Sequence, residues 1–462
     1  MTDVHVDALV IGSGQGGGPL ASALARAGRR TVLVERRHIG GTCINEGCTP
    51  TKTMIASARV AYLAKRSADF GVQCGNVTID LPAVVARKRA IVSEFRQSSE
   101  HSITRAGVEI LFGDARFVGE RRVEVRASDG STRTLAASTI IINVGARPAR
   151  PAIPGFEQVS TLDSTSVMDL EVLPAHLLVV GGGYVGVEFA QMFRRFGSRV
   201  TIVEHGPQLL GHEDEDVAQA VASILREDGI DLVLEARATG VEQSPNGISL
   251  TAATRAGDRR ITATHLLLAT GRVPNTDTLA AERAGIALDE RGHIRVDDHL
   301  ATTVPGVYAI GDVKGGPAFT HISYDDFRIL RTNLLEGGSA SIAGRLVPYT
   351  VFMDPQLGRV GMTEREALDQ HRRIAVATMP MSKVARALET AESRGFMKAI
   401  VDRDSHLILG CAILGIEGGE IMSMLQLAMM GGLPYTALRD AVLAHPTLAE
   451  SLNNLFTELT SV

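Results

Sequence analysis

One pattern constrains this chain more than any other, because it occurs twice. A short apolar run, DALVI, leads into Gly12-Ser13-Gly14-Gln15-Gly16-Gly17, a small-residue helical stretch follows, and TVLVE ends on Glu35. The run HLLVV leads into Gly181-Gly182-Gly183-Tyr184-Val185-Gly186, 169 residues later, and RVTIVE ends on Glu204. In each copy the acid stands 23 residues after the first glycine. The strand–turn–helix–strand order gives each glycine a physical task. Gly12 and Gly181 permit the tight turn, Gly14 and Gly183 admit a pyrophosphate to the backbone, and Gly17 and Gly186 let helix and strand pack closely. The helix start supplies amide donors and partial positive charge for phosphates, and Glu35 and Glu204 can accept from ribose hydroxyls. A single such motif is a weak signal. Two in matched context, with the acid at the same offset, predict an α/β chain with two doubly wound dinucleotide-binding domains.

Composition narrows the rest. The 462 residues carry 47 Lys and Arg against 52 Asp and Glu, a net charge of −5, which gives no electrostatic footprint for nucleic acid. Aromatic residues make up only 4%, without a tryptophan, which disfavours base-stacking or carbohydrate surfaces. No apolar run reaches the ~20 residues of a membrane span, and residues 1–5 lack the features of a signal peptide. The expectation is a cytoplasmic protein with no membrane or nucleic-acid partner. Four cysteines in a chain this long cannot form a disulfide scaffold.

Two of them, Cys43 and Cys48, lie directly after the first repeat in GGTCINEGCTPTK. Their spacing suits a disulfide or half a metal site, but Cys74 and Cys411 are single, far away, and read as small buried side chains. A cysteine pair abutting a dinucleotide unit points to electron flow between a cofactor and a dithiol. The acidic run from His212 to Asp216 reads as the solvated first turn of a helix rather than a metal site. Glu46, between the cysteines, is expected to face solvent.

GGTCINEGCTPTK resembles the redox-disulfide signature of the class I flavoprotein disulfide reductases, which include dihydrolipoyl dehydrogenase, glutathione reductase and mercuric reductase. Other segments resemble the same family: INVGARPARPAIPG from Ile142, ATGRVPN from Ala269, VYAIGD ending at Asp312, and HPTLAE from His445. These motifs run from residue 12 to residue 450. The resemblance implies an FAD-binding domain over residues 1–148 and 272–345, an NAD(P)-binding domain over 149–271, and a C-terminal α+β dimerisation domain over 346–462.

The resemblance also implies roles. One FAD per subunit would rest on Gly12, Gly14, Gly17, Glu35, Thr42, Ala115, Gly145, Asp312 and Thr320. Lys52 would lie beside the flavin, held by Glu188, because a buried lysine needs an acid partner. The nicotinamide cofactor would use Gly181, Gly183, Gly186 and Gly271, with Tyr184 shielding the flavin until it arrives. Glu204 favours a ribose diol and repels a 2′-phosphate, and residues 205–210 hold no Arg or Lys, so NADH is expected over NADPH. His445, oriented by Glu450, would be the general base, contributed across a homodimer interface.

The implied cycle carries electrons from NAD(P)H through flavin to a Cys43–Cys48 disulfide, Cys48 being the flavin-side sulfur and Cys43 the outer thiol. The acceptor is expected to be a small disulfide or oxidant. Alternatives are a metal-ion reductase of the mercuric-reductase kind, a quinone reductase, or the dihydrolipoyl dehydrogenase subunit of a 2-oxo acid dehydrogenase complex. The chain lacks the C-terminal cysteine pair of mercuric reductases. The SKVARALETAESRGFMKAIVD segment from Ser382 nevertheless resembles that branch.

Overall fold

Strands rich in Val, Ile and Leu alternate with helices, and such runs are buried on both faces only when helices cover a parallel sheet. The computed structural model, which describes residues 4–245 and 247–461, follows this rule in an α/β architecture. The reading of residues 1–5 rests partly on residues 1–3, which lie outside the described residues. The chain divides into two compact units: residues 1–54, 82–149 and 271–345 form the first, and residues 55–81, 150–270 and 346–462 the second. The three expected segments thus fall into two units, 149–271 and 346–462 lying largely together.

In the first unit, strands run in the order Glu109–Phe112, Thr31–Glu35, Val4–Ile11, Thr132–Ile142, all parallel, and Val307–Ala309 also pairs with Thr132–Ile142 in parallel. An antiparallel ribbon, Asp114–Gly119 with Arg122–Arg126, extends the sheet. Val10, Leu33 and Ile141 bury one face of the sheet with Leu20 and Leu24 of the helix Gly17–Arg26. The glycine loop lies at the carboxyl end of the central strand, where open α/β sheets bind ligands.

The second unit repeats the design on four parallel strands, Asp231–Val233, Arg199–Val203, His176–Val180 and His265–Leu268. It also holds an antiparallel six-stranded sheet containing Gln356–Gly361, Ile408–Gly415, Phe396–Asp402 and Ile374–Pro380. The helix Gly418–Met430 packs on this sheet through Ile421, Met422 and Leu425. Among the described residues, no helix is long and apolar enough to cross a membrane.

Candidate functional site

The two glycine loops match closely. Gly12 has φ +97°, and a Cβ there would lie 2.3 Å from the Asn143 carbonyl oxygen; Gly181 has φ +110°, and a Cβ would lie 2.3 Å from that of Ala269. A Cβ at Gly17 would meet the Gly12 oxygen at 2.2 Å, and one at Gly186 the Gly181 oxygen at 2.0 Å. Both acids are clamped alike. Glu35 accepts the Ser13 N–H at 3.0 Å and the Arg37 N–H at 2.9 Å; Glu204 accepts those of Gly182 at 2.6 Å and Gly206 at 2.7 Å. Each carboxylate therefore keeps accepting capacity beyond its backbone bonds, as a ribose-binding acid requires.

The second glycine separates the copies. A Cβ at Gly14 would lie 2.7 Å from Asn143 Oδ1, whereas one at Gly183 would meet nothing within 4 Å. Gly183 is extended, with φ −74° and ψ 178°, so neither strain nor neighbours demand glycine there. Space is therefore open at that backbone for a ligand to approach. The open backbone at the start of the helix Tyr184–Phe196, beside a clamped acid, fits a dinucleotide pyrophosphate.

The first unit brings the cysteines together with Lys52 and Thr320. Cys43 lies in the short helix Gly41–Asn45, and Cys48 opens the helix Cys48–Lys65. Neither is in a disulfide, and Cys48 Sγ lies 3.2 Å from Thr320 Oγ1. The hydrogen bond to Cys48, burial and the nearby Cys48 charge all raise the Cys43 pKa, while Thr320 and the Lys52 ammonium act in the opposite direction. Lys52 follows Cys48 by one helical turn, which sets both on one face. Glu46, expected in solvent, is partly exposed and lies 3.3 Å from the exposed Arg37, so its charge is answered locally.

Asp312 sits in the 3-10 turn Gly311–Lys314. Burial pushes its carboxyl upward, opposed by Arg272 at 3.9 Å and by Lys314. The neighbouring Gly311 N–H donates to fully buried Asp326 at 2.8 Å, and Asp326 is balanced by Arg345 at 2.7 Å and Lys314 at 3.4 Å. Gly145, φ +66°, and Gly271, φ +109°, both face open space where a Cβ would stand; Gly271 belongs to the first unit. Ala115 is buried in the ribbon, and Thr42 lies in the Gly41–Asn45 helix. Sequence reasoning missed Asn143 and Asp326. Asn143 lies in the segment INVGARPARPAIPG, but only its contacts reveal a task.

In the second unit Tyr184 is 40% exposed at its helix start, and buried Glu188, one turn on, accepts the Phe352 N–H at 2.8 Å. Gln191 on the same face pairs with the Asp354 backbone through bonds of 2.7 and 2.8 Å. Arg195 and Arg59 hold the Asp354 carboxylate. The Arg59, Arg66, Arg195 and Arg394 guanidinium groups lie within 3.9–5.8 Å of the Tyr62 ring centre. His445 Nδ1 lies 2.8 Å from Glu450, with the ring 68% exposed. Exposed Leu427, Met430, Leu433 and Val442 belong to the same sheet-and-helix region.

Two expectations are corrected here. Cys74 is exposed, because its segment has no regular structure to bury it. The acidic run is not a uniformly solvated turn: Glu213 and Asp214 are buried. Tyr349 donates to Glu213, and Asp214 accepts the Glu364 and Arg365 N–H groups. Lys398, itself buried, joins Asp214, Asp216 and Glu364 at 3.3, 2.9 and 2.7 Å. Among the described residues no group of three or more His, Cys, Asp or Glu can hold a metal ion.

Residues 6–326 match the family described as pyridine nucleotide-disulphide oxidoreductase, and residues 347–456 match its dimerisation domain. The chain is 39% identical over 455 residues to the probable pyridine nucleotide-disulfide oxidoreductase RclA of Escherichia coli, covering 97% of this chain and 98% of that protein. It is 34% identical over 448 residues to a mercuric reductase of Streptomyces lividans, covering 96% and 94%. It is 33% identical over 448 residues to a dihydrolipoyl dehydrogenase of Geobacillus stearothermophilus, covering 97% and 94%. The solved structure of RclA, titled an HOCl-induced flavoprotein disulfide reductase, superposes with a TM-score of 0.89 at 38% identity over 98% of this chain and 99% of that one. Its Cu(II) complex gives the same TM-score and identity over 99% of each chain.

Proposed function

This chain belongs to the pyridine nucleotide-disulphide oxidoreductases, and from that premise we propose which of its residues do the work and on what acceptor. It is an enzyme of pyridine nucleotide-dependent disulfide oxidoreduction, from a family whose members bind FAD and a pyridine nucleotide. FAD, when bound, relays two electrons from the nicotinamide to the cysteine pair. The first repeat is assigned to FAD, with Gly12, Gly14, Gly17 and the Gly17–Arg26 helix start facing the pyrophosphate and Glu35 the ribose. Thr42, Ala115, Gly145, Asp312 and Thr320 are assigned to the rest of that cofactor. The second repeat is assigned to the nicotinamide nucleotide through Gly181, Gly183, Gly186 and Glu204, with Tyr184 as its gate and Gly271 in the return link.

The single observation that carries the chemistry is the contact among Cys43, Cys48 and Thr320, within the field of the Lys52 ammonium. In the reduced enzyme, Cys43 loses its proton and its thiolate attacks one sulfur of a small disulfide. A mixed disulfide forms, and the leaving thiolate takes up a proton. Cys48 then attacks Cys43 Sγ, releasing the second thiol and closing the Cys43–Cys48 bond. The hydrogen bond to Cys48 and burial disfavour the Cys43 thiolate, so a base is required. The imidazole of His445, held by Glu450, is assigned that task, serving the pair of the other subunit in a homodimer. The dimerisation domain and its exposed Leu427, Met430, Leu433 and Val442 support that assembly.

NADH is proposed over NADPH. Glu204, the acid assigned to the ribose, would repel a 2′-phosphate, and residues 205–210 offer no Arg or Lys to receive it. The test is anaerobic titration of the holoenzyme with NADH, followed by thiol counting with iodoacetamide. By peptide mapping, Cys43 and Cys48 should both become labelled only after NADH, with exposed Cys74 labelled throughout; labelling of Cys43 and Cys48 that does not depend on NADH refutes the assignment.

A second reading, reduction of a metal ion at the same thiols, is favoured by the Cu(II) complex solved for RclA. Soft thiolates suit such ions. The two readings separate in His445→Ala, which should lose disulfide reduction but keep metal-ion reduction. A dihydrolipoyl dehydrogenase role requires turnover of dihydrolipoamide and co-purification with an acyltransferase core.

A further inference from the structure

The Asn143 side chain is buried beneath the first glycine loop. Its Oδ1 accepts the Gly17 N–H at 2.9 Å, and its Nδ2 donates to the Ile310 carbonyl at 2.9 Å and lies 3.4 Å from Ser323 Oγ. The amide's orientation follows from its partners, since a backbone N–H only donates and a carbonyl only accepts. Three segments meet on this one group. They are the first turn of the Gly17–Arg26 helix, the loop entering Gly311–Asp312, and the helix Thr320–Leu335, whose first residue lies against Cys48. The second repeat places Ala269 at the matching position, as the equal Gly12 and Gly181 approaches show, and has no side chain to make these links.

We propose that Asn143 is a positioning residue of the flavin site. It sets the phosphate-facing helix start and the Gly311–Asp312 loop in one register before the cofactor binds. The inference rests on the assignment of FAD to the first repeat. Alanine at 143 leaves the Gly17 N–H and Ile310 carbonyl without their partner, and such groups must find water or move. Cofactor binding then has to order the loop itself, which lowers affinity. Aspartate keeps the shape and the acceptor for Gly17, but it turns a carboxylate toward the Ile310 oxygen and adds negative charge beneath the phosphates.

The experiment strips FAD from the full-length chain and titrates it back, following the quenching of flavin fluorescence. Wild type, Asn143→Ala, Asn143→Asp and Ser323→Ala are compared, with circular dichroism to confirm folding and NADH binding to the second repeat as an internal control. Asn143→Ala should raise the FAD Kd about tenfold or more, or ~1.4 kcal/mol per factor of ten. Asn143→Asp should raise it further, and Ser323→Ala should change it less than about threefold, because its contact is long. NADH affinity should hold constant throughout, a split that general destabilisation does not produce. If wild type takes up no FAD, the cofactor assignment falls. If wild type binds and both Asn143 variants bind within about twofold of it, this inference is overturned. Should Asn143→Ala not fold, the isosteric Asn143→Asp decides by the same criterion.

Discussion

Gly183→Ala separates a glycine required by the fold from one required by a ligand. The backbone at Gly183 is extended, and the added methyl meets no atom within 4 Å. Removing glycine from the unfolded chain stabilises by about 0.4–1 kcal/mol, and alanine at the start of the Tyr184–Phe196 helix loses a similar amount as a poor N-cap. The net effect on stability should therefore stay within about 1 kcal/mol. Gly181→Ala is different: φ is +110° and the methyl would sit 2.3 Å from a backbone oxygen. The left-handed strain alone costs about 1–2 kcal/mol, before the clash is relieved. Binding should respond in the opposite sense. A phosphate drawn against the Gly183 backbone is displaced by the methyl and loses a charge-assisted hydrogen bond, about 1.5–3 kcal/mol. The KM for NADH should rise roughly 10- to 100-fold. Thermal melting, FAD content and steady-state kinetics on the purified variant measure all three. An unchanged melting temperature together with an unchanged KM refutes the assignment of the pyrophosphate to this loop.

Three further outcomes are expected. Burial pushes the Asp354 carboxyl up, but Arg195 and Arg59 outweigh it and hold the group below the usual carboxylate range. That stabilisation is present above pH ~4 and is lost as pH falls through the folded value. Asp354→Asn, which leaves buried Arg195 only the Asp228 carboxylate at 3.9 Å, should cost about 1.5–3 kcal/mol near pH 7 and progressively less under acid, read by chemical denaturation; a pH-independent difference contradicts the ion-pair account. Glu204→Ala should raise kcat/KM for NADPH relative to NADH by about tenfold or more, and a wild type that already prefers NADPH defeats the nucleotide assignment. In the reduced enzyme the hydrogen bond to Cys48 is the first cause holding Cys43 protonated, followed by burial. Cys48→Ala should therefore speed iodoacetamide labelling of Cys43 at pH 7 several-fold, measured by peptide mapping, whereas an unchanged rate denies the thiol–thiol contact.

The architecture was legible because its signals are local. Each repeat compresses strand, turn, helix and acid into a couple of dozen residues, and the cysteine motif follows directly. What stayed hidden depends on residues far apart in the chain. Asn143 meets Ser323 across 180 positions and Glu213 meets Tyr349 across 136, and no periodicity announces either contact. The acidic run shows the same limit. Glu215 and Asp216 occupy the first helical turn, as acids should, yet Glu213 and Asp214 turn inward because Tyr349 and the 364–365 backbone are there to receive them. Cys74 was misread for the converse reason: a small apolar side chain is buried only where some element covers it, and its segment has none.

The duplicated loops carry one further consequence. Their backbones agree to within tenths of an ångström at the two tightest glycine contacts, so the difference between the sites must come from side chains. The first loop has the Ser13 hydroxyl on Glu35 at 2.6 Å and the Asn143 amide bridging Gly17 to Ile310. The second has Gly182 and Ala269 at those positions, and neither bond can form. A more rigid cradle binds tightly because less order remains to be imposed. A looser one releases its ligand sooner, since affinity differences among similar sites appear mainly in the off-rate. On the proposed assignment, a resident flavin in the first repeat needs the first property, and a nucleotide exchanged at every turnover in the second repeat needs the second. On this argument Ala269→Asn, by rigidifying the nucleotide loop, should lower the NADH KM while slowing turnover at saturating acceptor. A variant with faster turnover and weaker NADH binding would mean that rigidity is not what distinguishes the two sites.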